Sequence, residues 1–188
     1  MERLRPHRLL DVGAGFQTVL FRDLLGPEAV DVLGLWVPRF APPDGAGAHL
    51  VFDLNEDGWP EAGPFDAVVA AEVIEHLFLG PATILRRLAA YLAPGGHLVV
   101  QTPNAAALHK RIRLLCGRAP YGPMPEDRSG DAHVREYTLA ELEQAGRDAG
   151  LEPVDAEAAS YFGRVPALAD RMLPPRLRLG LTVTFRRP

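Results

Sequence analysis

The sequence predicts an open, doubly wound α/β fold, in which a mostly parallel sheet carries helices on both faces. Three observations support this fold class. Short apolar runs bounded by glycine, proline or aspartate recur along the chain, patterns with helical spacing lie between several of them, and the first apolar run breaks into a Gly-x-Gly turn. Such alternation is typical of parallel strands joined by helical crossovers, with ligands bound at the carboxyl ends of the strands.

Run length and periodicity predict the individual elements. Short apolar runs indicate strands, whereas apolar residues at positions i, i+3 and i+4 indicate helices. The Pro94-Gly95-Gly96 triplet is expected to end the second helix with a turn. The predicted strands are 8–12, 30–35, 49–52, 65–70, 97–102, 153–159 and 179–185, and the predicted helices are 16–25, 81–92 and 139–149.

Length and composition favour one cytoplasmic domain. With 188 residues, of which 47% are hydrophobic, the chain can bury one sizeable core, so we expect a single domain over residues 1–188. The net charge of −4 argues against a cationic nucleic-acid-binding surface. Cys116 is the only cysteine, which suits a reducing compartment, and we expect it to be buried. The sequence shows neither a signal peptide nor an apolar run near the roughly 20 residues of a membrane span.

The most informative segment is LLDVGAG, from Leu9 to Gly15. Only glycine lets a backbone turn this sharply against a ligand. A dinucleotide fingerprint, G-x-G-x-x-G, would need a third glycine where Thr18 stands, so a dinucleotide-dependent oxidoreductase is not favoured. A tight turn that holds no ligand stays open as an alternative.

Four segments in order resemble the class I S-adenosylmethionine-dependent methyltransferase superfamily, in the manner of its type 11, 12 and 23 members. The turn from Asp11 to Gly15 resembles motif I, D-x-G-x-G-x-G, with Gln17 in place of the last glycine. Three later segments resemble further blocks of that superfamily: FDAVVAAEVIEHL at 65–77, LAPGGHLVVQTPN at 92–104, and the segment 133–151, which begins HVREYTLAEL and ends AGL. Their common order and spacing make the resemblance specific.

The resemblance implies a seven-stranded, Rossmann-like sheet and an enzyme that transfers the methyl group of S-adenosylmethionine. The acceptor we expect is an oxygen atom of a small metabolite, lipid or glycan precursor. Asp11 would anchor the turn or the ammonium group of the cofactor through charge-assisted hydrogen bonds, and glycine would let backbone amides approach the methionine end. The cofactor-binding residues implied are Asp11, Gly13, Ala14, Gly15, Trp36, Asp53, Leu54 and Ala70.

Two of these positions have more than one interpretation. Trp36 stands where the family places the acid that holds both ribose hydroxyls, and an indole offers only stacking or one N–H donor. Adenosine held by stacking, a ribose bound by another acid, weakened cofactor binding and ordinary packing all stay open. Asp53 stands where the family places an acid beside the adenine amino group, but the sequence DLNEDG around it also predicts a solvated turn.

Glu72, Glu75 and His76 form the sharpest chemical pattern. Their spacing predicts that all three side chains share one helical face just beyond a strand, where they can bind Mg²⁺, Mn²⁺ or a similar ion. This E-x-x-E-H pattern resembles the metal site of small-RNA 2′-O-methyltransferases and of ubiquinone-pathway O-methyltransferases, and the resemblance makes His133 the fourth ligand. The ion would lower the pKa of the acceptor hydroxyl.

A metal-free reaction is the alternative. His76 or His133 is then the candidate general base, since an imidazole titrates near neutral pH, although alignment of the acceptor with the methyl group can alone supply most of the rate.

Residues 104–134 are predicted to form a lid that determines acceptor specificity. Within the lid, the basic amphipathic run at 109–115 is interpreted as a solvated helix face in preference to a grip on a phosphate or an anionic lipid.

Two further functions are considered. Gln17, Trp36 and the short segment before the first strand fit a non-catalytic or cofactor-impaired binding protein on the same fold, or a site completed by a second subunit of a homo-oligomer. A metal-dependent RNA 2′-O-methyltransferase is the other, although the acidic net charge speaks against nucleic acid as a partner. We therefore expect a small-molecule acceptor.

Overall fold

The computed structural model describes residues 6–123, 132–159 and 172–188. Within these ranges all seven predicted strands and all three predicted helices are present, some with shifted ends, together with one further α-helix. The strands are β1 (Leu9–Val12), β2 (Val30–Gly34), β3 (His49–Val51), β4 (Phe65–Ala71), β5 (Leu92–Pro103), β6 (Glu152–Ala159) and β7 (Gly180–Arg186). The helices are α1 (Phe16–Leu25), α2 (Pro81–Ala90), α3 (Leu108–Leu115) and α4 (Leu139–Asp148).

These strands form one seven-stranded sheet in the order β3-β2-β1-β4-β5-β7-β6. The pairs from β3 to β5 are parallel, and β7 lies antiparallel between β5 and β6. The strand order reverses between β1 and β4. Open α/β sheets bind their ligands at such a reversal, outside the carboxyl ends of the strands. The predicted doubly wound, mostly parallel fold class is confirmed.

Both faces of the central strands are buried. Leu10 and Val12 pack on one face in the larger apolar cluster, which also contains residues of α2 and α4. Leu9 points to the other face, where Phe21 and Leu25 of α1 cover a smaller cluster. A strand covered on both faces is apolar at nearly every position, which is why β1 appears in the sequence as an apolar run with Asp11 as its one polar residue.

The second helix and fifth strand differ from the prediction. The helix ends at Ala90, and β5 already begins at Leu92, which pairs with Phe65 of β4. The predicted turn at Pro94 to Gly96 is therefore part of a strand with a local irregularity in register. The reason is pairing with the distant C-terminal segment, since Gly95 N donates to Arg187 O and Arg187 N donates to Gly96 O, each at 2.9 Å.

Two further observations concern the surface. Cys116 is exposed just after α3, so the expectation of a buried thiol is wrong. The chain from Arg111 to Ala119 is exposed throughout, because after Lys110 this segment leaves the protein core.

Within the described ranges, no helix combines the length and apolar character needed to cross a membrane.

Helix α4 begins and packs for clear local reasons. Its first turn carries a capping box, in which Thr138 Oγ1 accepts from Glu141 N at 3.3 Å and Glu141 Oε2 accepts from Thr138 N at 2.9 Å. Gly146 faces β7, where a Cβ atom would lie 2.6 Å from Cδ1 of Phe185. The missing side chain lets α4 approach the sheet.

We predict that Gly146→Ala lowers the free energy of unfolding by about 1 to 3 kcal/mol, because the added methyl group overpacks against Phe185. At an ordinary helical position the same change stabilises a protein by up to about 1 kcal/mol. Urea unfolding measures the difference, with Ala140→Gly at an exposed site on α4 reporting helix propensity alone. A gain in stability for Gly146→Ala would contradict the close packing.

Candidate active site

Asp11 is the buried acid at the end of β1. Its Oδ2 accepts from Thr18 Oγ1, which in turn accepts from Gly15 N at 2.9 Å. Among the residues that the structure describes, Asp11 Oδ1 is buried without a hydrogen-bond partner. Burial raises the pKa of Asp11 to about 7. The carboxyl group is therefore oriented by the turn but lacks a full set of donors.

Gly13 makes the turn possible. Its φ is +81°, and a Cβ atom there would lie 2.6 Å from Cγ2 of Val73. Its N donates to Leu33 O at 2.9 Å, and a Cβ atom on Gly34 would meet the Gly13 backbone at 3.4 Å. Gln17, in place of the last motif glycine, folds back and donates from Nε2 to Gly13 O at 2.9 Å. The ends of β1 and β2 and the segment after β4 thus meet at Gly13.

Trp36 follows β2 and is about half exposed. Its indole stacks on the imidazole of His49, with ring centroids 5.0 Å apart and an interplanar angle of 28°. Burial lowers the pKa of His49, which favours a neutral ring beneath the indole. The structure therefore holds Trp36 as a supported, accessible aromatic surface just after β2.

The other predicted cofactor residues lie along the same edge of the sheet. Ala70 is fully buried in β4 and pairs in register with Val12, beyond which Ala14 lies half-buried in the turn. Asp53 follows β3, and its Oδ1 accepts from Asn55 N at 2.9 Å, as in an Asx turn. Leu54, the next residue after Asp53, is buried.

The segment after β4 does not form the predicted helix. The prediction that Glu72, Glu75 and His76 share one helical face is therefore wrong. Glu72 N donates to Gln101 O at 2.9 Å, which extends the β4–β5 ladder by one residue, and Glu72 then turns the chain with a φ of +56°. Only a short 3₁₀ turn, Ile74–His76, follows. Pairing with β5 outweighs the local helical spacing, and the turn directs Glu75 inward.

Three of the four predicted metal ligands nevertheless come together. Glu75, His76 and His133 each offer a ligand atom within 4.8 Å of the others. The two imidazole rings meet edge to face with centroids 4.9 Å apart. His133 is brought there by its chain neighbours, since Val134 N donates to Glu75 O at 2.7 Å. Glu72 lies outside this group of three, although its carboxyl group is close enough to raise the pKa of Glu75.

Burial dominates the electrostatics of this cluster. It raises the pKa of Glu75 to about 8, with the neighbouring Glu72 adding to the rise. Thr102 Oγ1 donates to Glu75 Oε2 at 2.9 Å, while Glu75 Oε1 is buried with no hydrogen-bond partner in the described part of the chain. Burial also lowers the pKa of His133. A buried acid and two imidazoles in this arrangement can bind a cation or exchange protons with a ligand.

Sequence reasoning missed the ion pair behind His133. Lys110 is buried in α3, so the predicted solvated face at 109–115 is wrong for this residue. Its Nζ donates to Glu136 Oε2 and, at 3.0 Å, to Asn104 O. No local pattern links Lys110 to Glu136, because 26 residues separate them along the chain. Thr102, which holds Glu75 from 27 residues away, was missed for the same reason. Thr18, seven residues from Asp11, was also missed as a site residue.

Comparison with known proteins shows the family of the chain. Residues 2–156 match the model of a methyltransferase domain family. The chain belongs to this methyltransferase family. It is 30% identical over 173 residues to the ubiquinone biosynthesis O-methyltransferase of Xanthomonas axonopodis pv. citri (strain 306), a match that covers 85% of this chain and 69% of that protein. The corresponding protein of Ralstonia nicotianae is 29% identical over 101 residues, which cover 54% of this chain and 41% of the relative.

Solved structures share the fold of this methyltransferase. An S-adenosylmethionine-dependent methyltransferase from Mesorhizobium loti matches with a TM-score of 0.65 and 19% identity, over 99% of this chain and 95% of that chain. The 1,6-didemethyltoxoflavin-N1-methyltransferase of Burkholderia thailandensis, solved with S-adenosylhomocysteine, matches with a TM-score of 0.61 and 21% identity, over 99% of this chain and 73% of that one. The predicted family, fold and S-adenosylmethionine-dependent methyltransferase activity are confirmed.

The raised pKa of Asp11 predicts how stability depends on pH. The carboxyl group ionises at about 7 in the folded protein but at 3.8 in the unfolded chain, so its contribution to stability is full below pH 3.8 and is lost as pH rises to about 7. The expected fall is at most about 1.4 kcal/mol per pH unit.

Asp11→Asn replaces the carboxyl group by an amide of similar shape and should flatten this pH dependence in urea unfolding of the ligand-free protein. Asp44→Asn, at an exposed position, controls for the loss of one carboxyl group. Parallel pH profiles for Asp11→Asn and the parent protein would show that Asp11 is not the titrating group.

Proposed function

We propose that this methyltransferase, as a single domain over residues 1–188, transfers the methyl group to an oxygen atom of a small metabolite, lipid or glycan precursor. The observation that carries the proposal is the cluster of Glu75, His76 and His133 beside the glycine turn. Val73, two residues before Glu75, lies directly against Gly13. Groups able to activate a hydroxyl therefore adjoin the turn that we assign to the cofactor.

The residues of the β1 turn fit S-adenosylmethionine. Asp11 Oδ1 is a buried acceptor without a donor in the described chain, and the ammonium group of the cofactor is a donor that would satisfy it. The cofactor supplies a methyl group activated by its sulfonium. We assign its binding to Asp11, Gly13, Ala14, Gly15, Trp36, Asp53, Leu54 and Ala70.

Trp36 has a specific part in this proposal. A carboxylate would hold the ribose through two hydroxyl groups, which an indole cannot do. The indole is already supported on His49 and about half exposed, so it offers a flat surface on which adenosine can stack. Stacking in place of ribose recognition is the interpretation that the geometry supports best.

The cluster also fits a divalent ion. Glu75 Oε1 lacks a partner in the described chain, and two imidazoles stand beside it, a mixed donor set that favours Mn²⁺ or a similar ion over calcium. Glu75, His76 and His133 would hold the ion, with Glu72 close by. Such an ion lowers the pKa of an acceptor hydroxyl. Burial lowers the pKa of His133, which favours the neutral ring, so the same ring can accept the hydroxyl proton directly if no ion is bound.

Residues 104–134 are proposed as the acceptor lid. The described part includes α3, whose outer surface carries exposed aliphatic side chains at Ile112, Leu114 and Leu115, whereas residues 124–131 lie outside the described ranges. An apolar acceptor, or an acceptor with an apolar tail, is compatible with such a surface. Incubation of cell extract with the protein and methyl-labelled S-adenosylmethionine, followed by mass spectrometry, tests the proposed acceptor class. Label only on nitrogen would contradict it.

Gly13→Ala is predicted to weaken S-adenosylmethionine binding more than tenfold in calorimetry, because the methyl group collides with Val73 and distorts the turn. Gly45→Ala is the matched control, since Gly45 also has a positive φ, +78°, but has open space around its Cα. Circular dichroism verifies that both variants are folded. Equal S-adenosylmethionine affinities in the two variants would show that the turn is not part of the cofactor site.

Glu75→Gln is predicted to abolish stimulation of methyl transfer by Mn²⁺ and to weaken Mn²⁺ binding at least tenfold, because a neutral amide is a poor ligand for a divalent ion. Glu72→Gln, outside the group of three, should lose less Mn²⁺ affinity. Mn²⁺ titration calorimetry measures both variants. Unchanged Mn²⁺ binding in Glu75→Gln would show that Glu75 is not a ligand of the metal ion.

A further inference from the structure

Both imidazoles of the cluster use the same ring nitrogen to contact an acceptor. His133 Nδ1 lies 3.0 Å from Glu136 Oε1, and His76 Nδ1 lies 3.2 Å from Ala132 O. A carbonyl oxygen and a carboxylate can only accept, so the proton of each neutral ring belongs on Nδ1. The lone pair of each ring is then on Nε2, available to an ion or to an acceptor proton.

The carboxylate that orients His133 is itself held by a buried cation. Lys110 and Glu136 have side chains only 7% and 5% exposed, and Lys110 Nζ donates to Glu136 Oε2. Because Lys110 occupies one carboxylate oxygen, the other is left for His133. A second hydrogen bond, to Asn104 O at 3.0 Å, fixes the ammonium group. Removing the cation would leave the buried carboxylate of Glu136 without an opposite charge, which is strongly unfavourable.

We propose that Lys110 and Glu136 are positioning residues that hold His133 in its Nδ1–H tautomer and thereby connect helix α3 to the methyl-transfer site. The importance of this tautomer for activity rests on the function proposed above. Lys110 and His133 lie near opposite ends of the proposed lid, and Glu136 follows it in the chain. The position of the lone pair on Nε2 of His133 therefore depends on how α3 packs.

The test is nitrogen NMR of the protein with ¹⁵N-labelled histidine, without metal or cofactor, in which long-range proton couplings show which ring nitrogen is protonated. His133→Gln identifies the signals of His133. The wild-type protein should show the Nδ1–H tautomer at His133. Glu136→Leu and Lys110→Met should each convert it to a mixture containing Nε2–H, the form preferred in water.

Two variants separate orientation from general damage to the fold. Glu136→Gln keeps a carbonyl acceptor for Nδ1–H and should retain more of the wild-type tautomer than Glu136→Leu. Arg113→Met alters an exposed residue on α3 that donates to Ala119 O, and should leave His133 unchanged. In the same series, Mn²⁺ affinity should fall about tenfold or more in Glu136→Leu and less in Glu136→Gln, as expected when the partner of a metal-binding histidine is lost.

A wild-type protein with His133 in the Nε2–H form would overturn the proposal without any variant. It would equally be overturned if folded Glu136→Leu and Lys110→Met both kept the wild-type tautomer. Failure of the proposed function gives a different result, in which the tautomer pattern is as expected but neither Mn²⁺ binding nor methyl transfer to oxygen is found.

Discussion

The contact between Gly13 and the segment after β4 determines the geometry of the whole carboxyl edge of the sheet. At this point the turn after β1 has a left-handed backbone, the end of β2 lies against it through Gly34, and Val73 fills the space that a side chain would need. The contact joins the turn that carries Asp11 to the segment that carries Glu75. The proposed cofactor site and the proposed hydroxyl-activating cluster are therefore adjacent because two backbones approach as closely as glycine allows.

Two buried acids at this edge share an unusual property. Asp11 and Glu75 each have one carboxyl oxygen held by a threonine and one oxygen without a partner among the described residues. Burial raises the pKa of both, since the loss of hydration outweighs the hydrogen bonds and charges that the described residues supply. Such groups reduce the stability of the ligand-free protein and increase its affinity for a positively charged ligand. An ammonium group at one acid and a metal ion at the other are ligands of the appropriate charge.

The ion pair of Lys110 and Glu136 differs from these acids, because each of its charges has a partner. It joins α3 to the segment that supplies His133, while α3 is exposed from Arg111 onward. One buried charge pair thus anchors an otherwise exposed helix. Helix α3 and the imidazole of His133 are connected through the single carboxylate of Glu136, which contacts both.

The sequence alone determined the fold class, most strand and helix positions, and the family, because the buried parallel strands and the motif I turn leave local apolar and glycine patterns. It also predicted that Glu75, His76 and His133 belong to one site, and the structure brings these three side chains together. What it did not determine was the conformation that brings them together, since the E-x-x-E-H spacing indicated a helix and the structure has a strand extension, a left-handed Glu72 and a 3₁₀ turn.

Only the tertiary structure decided that conformation, through the hydrogen bond from Glu72 N to Gln101 O of a neighbouring strand. It likewise decided where β5 begins, because the strand pairs with the C-terminal segment, and that Lys110 is buried against Glu136. Each of these outcomes depends on partners far apart in the chain, and a hydrogen bond or ion pair between distant segments leaves no periodic signal in the sequence around either partner.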